Sequence, residues 1–450
     1  MTNIISSASP RRLAAWPTPI TRAVGIAVLA GLAACGGGGG GGSPGYFFPA
    51  ATPPSSPAPS VTPEPAAPTS FHISGTVSGL ESGQQVTLLN NGGDALELNA
   101  NGAFAFPTAV TGGYAVTVNQ QNRWMVCTVS NGDGSASADV TNVSVVCGTG
   151  AAEVSTLQTA AFAGPVGAAF DAAGNLYVTE WNGGLRKIAA DGTVTTLASA
   201  LDNPFGVAVG SDGNVYVASS GQHKVLKISQ AGVVTTLAGS GAQSSNDGIG
   251  TAATFFGPRG LAIDSAGNLY VAESEGNKIR KIDPAGVVTT LAGGNNAGFV
   301  DGTGSAARFS SPAHMTLDAD GNIYVVDGLN SRVRKITQTG EVTTLAGNGT
   351  RTSADGIGAA ASFNYPYGIG IDSKGYCYVV ETAGNRVRRI SPSGVVTTLA
   401  GSDTRGASDG IGAAAQFSAP AGLALDKNGD LFIAEEGSGK IRKLVPAPAH

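Results

Sequence analysis

The chain has 450 residues, of which only 13% are charged, with 67 glycines and a formal net charge of -5. An acidic pI of about 5.4 removes any electrostatic reason to expect a nucleic-acid partner. The length is ample for a large core plus a smaller module, and the glycine content suits a turn-dense all-β fold.

At the N-terminus, Arg11, Arg12 and Arg22 precede an apolar run from Ala23 to Ala34, too short to span a bilayer but the right length for the hydrophobic part of a signal peptide. The sequence LAAC then ends at Cys35 and resembles the lipobox of bacterial lipoproteins. That resemblance implies cleavage before Cys35, acylation of the cysteine and of the new terminus, and stable anchoring by two or more acyl chains. Gly36, where an inner-membrane lipoprotein would carry Asp, implies the outer membrane. An ordinary signal peptide with a chance cysteine is the other reading. Residues 36–70 are seven glycines followed by a Pro, Ser, Ala and Thr-rich run, a composition that cannot bury enough apolar surface to order itself and that serves as a tether.

Residues 71–149 change character: ISGTVSG, QQVTLLN, GAFAFPTAV, YAVTVNQ, RWMVCTVSN and VTNVSVVC alternate apolar with polar residues between glycine-rich turns. This predicts a small antiparallel β-sandwich, and it resembles a short β module found after the tether of bacterial lipoproteins, without implying an activity. Cys127 and Cys147 fall in its last two strands. Export to an oxidising compartment favours a disulfide between them over two buried thiols.

From residue 150 a repeat takes over. A proline opens each copy at Pro165, Pro204, Pro258, Pro312, Pro366 and Pro420, so the step is 39 residues once and then 54 four times. Within the copy from Pro258, GLAID, NLYVAE, KIRKI and VVTTLAG are four β-forming runs separated by turn residues, and four strands make one propeller blade. The pattern closely resembles the NHL repeat family over residues 153–444, which implies an all-β, six-bladed propeller at 150–450 following the small sandwich. Similar propellers serve as binding modules, as sensors and, less often, as lyases or lactonases. The last copy ends in VPAPAH and lacks a fourth strand, whereas Glu153–Thr159 precedes the first proline as a fourth strand without a blade. Pairing the two would close the ring and remove an exposed edge.

Acidic residues recur in the second strand at Glu180, Glu273, Asp327, Glu381 and Glu435, with Ser219 breaking the set, and basic pairs recur in the third, as at Arg280 and Lys281. A repeated carboxylate is not a tuned catalytic one, and the charges are expected to form cross-strand pairs of about 0.2 to 1 kcal/mol each. The turns DADGN at Asp318 and DKNGD at Asp426 resemble half a calcium loop without its closing glutamate, and a hairpin turn is the expected role. Four long loops beginning at Asp247, Asp301, Asp355 and Asp409 each predict a short helical turn that docks Phe255, Phe309, Phe363 or Phe417 between blades. They fall on the face shared by the second-to-third turns, and the other face has only short turns. Cys377, alone inside YCYVV, is expected to be a core residue.

Residues that depart from the repeat are the candidate site. The position after each proline varies as Val166, Phe205, Arg259, Ala313, Tyr367 and Ala421, and the following glycine becomes His314 in the fourth copy only. Phe205, Arg259, His314 and Tyr367 are therefore expected at an exposed rim around the channel mouth, as binding residues with no catalytic role, metal or cofactor. The expected protein is a monomeric, lipid-anchored, non-enzymatic binding or scaffolding protein of the cell envelope, facing the periplasm or the cell surface and taking a protein, peptide or glycan. The rival is a channel-mouth hydrolase or lyase with His314 as base and Arg259 as anion binder. Metal-dependent lyases of similar fold carry several histidines around the channel, and here the propeller offers only His223, His314 and His450.

Overall fold

A computed structural model describes residues 69–157 and 161–448. The leader, Cys35 and the tether up to residue 68 lie outside the described residues.

Residues 71–149 form two four-stranded sheets. One runs Gly102–Ala105, Ile73–Ser78, Val140–Thr149, Met125–Ser130; the other runs Asp94–Leu98, Val86–Asn90, Gly113–Gln121, Asp133–Ser135. Their alternating apolar residues meet in one core that includes Ile73, Val86, Leu88, Phe104, Phe106, Val143 and Val145. The expected all-antiparallel pairing fails at one place, because Ile73–Ser78 and Val140–Thr149 are parallel. Alternation specifies which face is buried but not strand direction, so it could not report that the first and last strands lie side by side. Cys127 and Cys147 face each other in register and form a disulfide.

Among the described residues the repeat region holds six sheets, whose first strands are Pro165–Phe170, Pro204–Val209, Pro258–Ile263, Pro312–Leu317, Pro366–Ile371 and Pro420–Leu425. Each continues as an antiparallel meander; in sheet three it passes through Leu269–Glu273, Lys278–Ile282 and Val287–Gly293. All five residues of every second strand are buried, as their unbroken apolar runs require when both faces are covered. The first strands neighbour one another in chain order, and Pro420–Leu425 lies against Pro165–Phe170. Together the six bound an axial cavity of about 310 Å³.

Sheet six takes its outer strand from the other end of the chain. Ala152–Thr156 pairs with Lys440–Pro446, with Leu444 opposite Val154 and Arg442 opposite Thr156. That register repeats the pairing of Arg280 with Thr290, Arg334 with Thr344 and Arg388 with Thr398 inside single copies. The expected strand ran to Thr159; it ends at Thr156, and residues 158–160 lie outside the described residues.

The charge ladder differs from expectation in burial and therefore in energy. Arg280, Arg334, Arg388 and Arg442 are 0% exposed, as are Glu273, Asp327, Glu381 and Glu435, which they bind. Each guanidinium also reaches a loop aspartate, as Arg280 does to Asp247 at 2.7 Å and Arg334 to Asp301 at 2.6 Å. Each lies over the docked phenylalanine at 5.2–5.5 Å. Burial raises the carboxyl of Glu273 above its ordinary value while Arg280 draws it back down. These are desolvated networks: removing one partner strands a buried charge at a cost of about 3–5 kcal/mol, not the fraction of a kilocalorie of a surface pair. The loops do make single 3-10 turns, as at Gly250–Ala252, and Phe255, Phe309, Phe363 and Phe417 are fully buried.

In the acidic turns, Asp318 Oδ1 accepts from the backbone N–H of Asp320 and Asn322, and its Oδ2 accepts from Asn322 and from the Tyr324 hydroxyl. Its oxygens are committed to closing the turn, and the same arrangement holds at Asp171 and Asp264. Cys377 is buried, and desolvation pushes its thiol well above the usual range, so it behaves as a small core residue.

Residues 71–149 pack on the short-turn side of sheets five and six. Trp124 shares a core with Tyr376, Tyr378, Leu431 and Leu444, and Arg389 reaches Glu81 at 3.3 Å and Thr149 at 3.1 Å. Arg123 pairs with Asp430 in the turn of sheet six.

Candidate functional site

Five of the six first strands carry a glycine two residues after the proline start, and close approach explains it. A Cβ at Gly167, Gly206, Gly260, Gly368 or Gly422 would lie 3.0 Å or less from the carbonyl oxygen of Phe205, Arg259, Ala313, Ala421 or Val166 in the next sheet. These glycines let neighbouring first strands touch at the waist of the channel. In sheet four the position is His314, whose ring instead leans on Tyr367 of sheet five, with centroids 5.0 Å apart and planes tilted by 47°.

The four residues expected at the mouth come together around this exception. The Arg259 guanidinium lies over the Phe205 ring at 4.9 Å. Its charge, after desolvation by burial, helps push His314 down to about 4, and it opposes the burial that raises Tyr367 to about 12. The expected exposure is not found. His314, Val166, Ala313 and Ala421 are buried, and Phe205, Arg259 and Tyr367 are half-buried, because the packed waist draws the post-proline position inward. The Nε2 of His314 and the Nε of Arg259 have no hydrogen-bond partner. His223 plays another part: its Nδ1 accepts from the backbone N–H of Gly257 at 3.1 Å.

Arg259 and Tyr367 line a cavity of about 470 Å³ with Ala313, Leu329, Tyr365 and Thr382. Phe205 and His314 do not line it and pack against the two that do. Sequence reasoning missed Leu329 and Tyr365, which are 49% and 39% exposed. A signal for Tyr365 existed. The residue before each proline has positive φ, at Gly164, Asn203, Gly257, Ser311, Tyr365 and Ala419, and a tyrosine is an expensive choice for the left-handed region. Arg351 stacks on Tyr365 at 4.4 Å and donates to its hydroxyl. Among the described residues, no group of three or more His, Cys, Asp or Glu is arranged to hold a metal ion.

No family model matches the chain. It is 26% identical over 336 residues to teneurin-3 of Danio rerio, covering 62% of this chain and 12% of that protein. Against the chloroplastic protein Suppressor of Quenching 1 of Arabidopsis thaliana it is 28% identical over 265 residues, covering 55% of this chain and 25% of that protein. The chain thus spans a small part of the relatives it matches. Among solved structures, an auxiliary nutrient binding protein from Bacteroides ovatus aligns with a TM-score of 0.54 at 15% identity, covering 86% of this chain and all of that one. A Bacteroides thetaiotaomicron protein of unknown function aligns with a TM-score of 0.54 at 22% identity over 80% of this chain and 90% of that one. With the repeated four- and five-stranded sheets, these likenesses support an NHL-repeat, propeller-type β protein.

Proposed function

We propose that the chain is a lipid-anchored, non-enzymatic binding or scaffolding protein of the bacterial cell envelope, held at the outer membrane through Cys35. In this reading residues 71–149 are a small β-sandwich and residues 150–450 a six-bladed propeller closed by Ala152–Thr156, which presents its elaborated face to a ligand. The observation that carries it is the cavity at the mouth, built from the residues that break the repeat. Residues 71–149 cover the short-turn side of sheets five and six, whereas the mouth cavity lies on the elaborated side, clear of that packing. The unpartnered Nε2 of His314 favours the rival, a hydrolase or lyase. With its pKa held near 4, however, that imidazole is a weak base at neutral pH, which supports binding over catalysis.

The test is capture of ligands from envelope extract and a glycan array with the soluble fragment 71–450, beside Leu329→Asp and Tyr365→Ala variants. The reading expects capture that both variants abolish while their circular dichroism is unchanged. Loss only on substituting the short-turn face, at Lys374 or Lys427, contradicts the face assignment. Stoichiometric metal that disappears in His314→Ala would move the assignment to the rival.

A further inference from the structure

We infer that the mouth cavity takes a small organic monoanion, an aromatic or otherwise apolar body whose carboxylate pairs with Arg259. This rests on the mouth being the ligand site. Arg186, Arg280, Arg334, Arg386, Arg388, Arg389 and Arg442 each bind a carboxylate. Among the described residues Arg259 binds none; Arg308 and Arg332, also half-buried and without a carboxylate, donate to backbone carbonyls instead, whereas Arg259 lies against Phe205 and borders a cavity walled largely by apolar atoms. A guanidinium withdrawn from water without a partner is unfavourable, and its planar fork fits a carboxylate.

The rest of the lining selects the body of the ligand. Ala313, Leu329, Pro366 and the rings of Tyr365 and Tyr367 offer apolar and aromatic contact. Among the described lining residues, Ser311 and Thr382 are the side-chain hydroxyls besides the two phenols, too few for the many hydroxyls of a sugar. About 470 Å³ is the scale of a small-molecule pocket. Arg259 is the one charged side chain among the described lining residues, which matches a single carboxylate.

The experiment titrates the purified full chain with 3-phenylpropionate, with its uncharged isostere 3-phenylpropanamide, and with acetate, by calorimetry and ligand-observed NMR. The expectation is that phenylpropionate binds at least about tenfold more tightly than the amide, the worth of one charge-assisted contact, and that acetate does not bind. Arg259→Gln should bring the acid and the amide together without lowering the melting temperature, and Arg259→Lys should restore part of the difference. If acid and amide bind alike and Tyr365→Ala abolishes both, the carboxylate is wrong and the mouth remains the site. If phenylpropionate binding survives both Arg259→Gln and Tyr365→Ala, the inference and the mouth assignment both fall. If neither phenylpropionate nor phenylpropanamide binds, the inference falls.

Discussion

Sheets three to six and sheet two handle the same interior position in opposite ways. In the former, a long preceding loop brings Asp247, Asp301, Asp355 or Asp409 to the third-strand arginine, which also holds the buried acid of the second strand. Before sheet two the connection is 14 residues shorter, five residues from Ala198 to Pro204 against nineteen from Ala238 to Pro258, and carries no such loop; there Leu226 stands where the arginine would be, Ser219 replaces the acid, and Leu201 packs beside Leu226. Sheet one is intermediate. Arg186 keeps Glu180 at 3.7 Å, is 20% exposed on its side chain, and lies over Phe162. The arginine is thus buried fully only where two carboxylates meet it, and where they are missing the chain substitutes an apolar pair. That is what the desolvation cost of an ion demands, since each buried charge has to be compensated locally.

The largest expected effect breaks one network. Arg334→Leu leaves Asp327 buried without its cation, and chemical denaturation should show a loss of about 3–5 kcal/mol. Adding Asp327→Ser, which copies sheet two, should recover at least about 2 kcal/mol of that loss. A double variant as unstable as the sum of the two singles would end the comparison.

His314 is a departure from the repeat with no such compensation, and it should therefore respond to pH. Its folded pKa of about 4 lies below the ordinary 6.5, so the stability it contributes as a neutral ring is complete above pH 6.5 and is lost as pH falls from 6.5 to 4. Over that window the native protein should lose up to about 3 kcal/mol relative to His314→Gln, followed by denaturation at several pH values. Parallel pH profiles for the two proteins would show that the ring is not held neutral.

A smaller effect is expected at the loop end of the network. Asp355 is 52% exposed, binds Arg388 at 2.7 Å and accepts from Thr398. Asp355→Asn should therefore cost only about 1 kcal/mol, with amide exchange quickening at Gly356–Ile357 ahead of the sheet core. Uniform quickening across sheet five would make the loop part of the core.

The proline period and the four β-forming runs made the sheets legible, because turn residues and apolar spacing act locally. The stranded Glu153–Thr159 run was legible because its Leu157 precedes Leu197 by 40 residues, as Leu197 precedes Leu237 in the next copy. Burial of the charges was not, since an Arg-Lys pair reads alike whether its first member points inward, as Arg280 does, or both are solvated. The parallel contact of Ile73–Ser78 with Val140–Thr149 was hidden for a related reason: spacing encodes faces, not partners. At the mouth, Arg259, Tyr367 and His314 were visible as breaks in a repeat. Leu329 and Tyr365 fell in turns treated as connections, and the walls they form depend on how sheets four and five meet.

The most direct test concerns completion of sheet six by the other end of the chain. Thr156 donates to Asp409 at 2.8 Å, as Thr290 donates to Asp247 and Thr344 to Asp301 inside single copies, so the N-terminal strand also finishes the Arg442 network. Without it, sheet six would expose an unpaired edge. The melting temperatures of chains beginning at Gly150 and at Ala161 should differ widely, with the shorter chain losing several kcal/mol or aggregating. Identical melting within error would mean that Ala152–Thr156 contributes nothing to the fold, and the account of how the repeat is completed would be wrong.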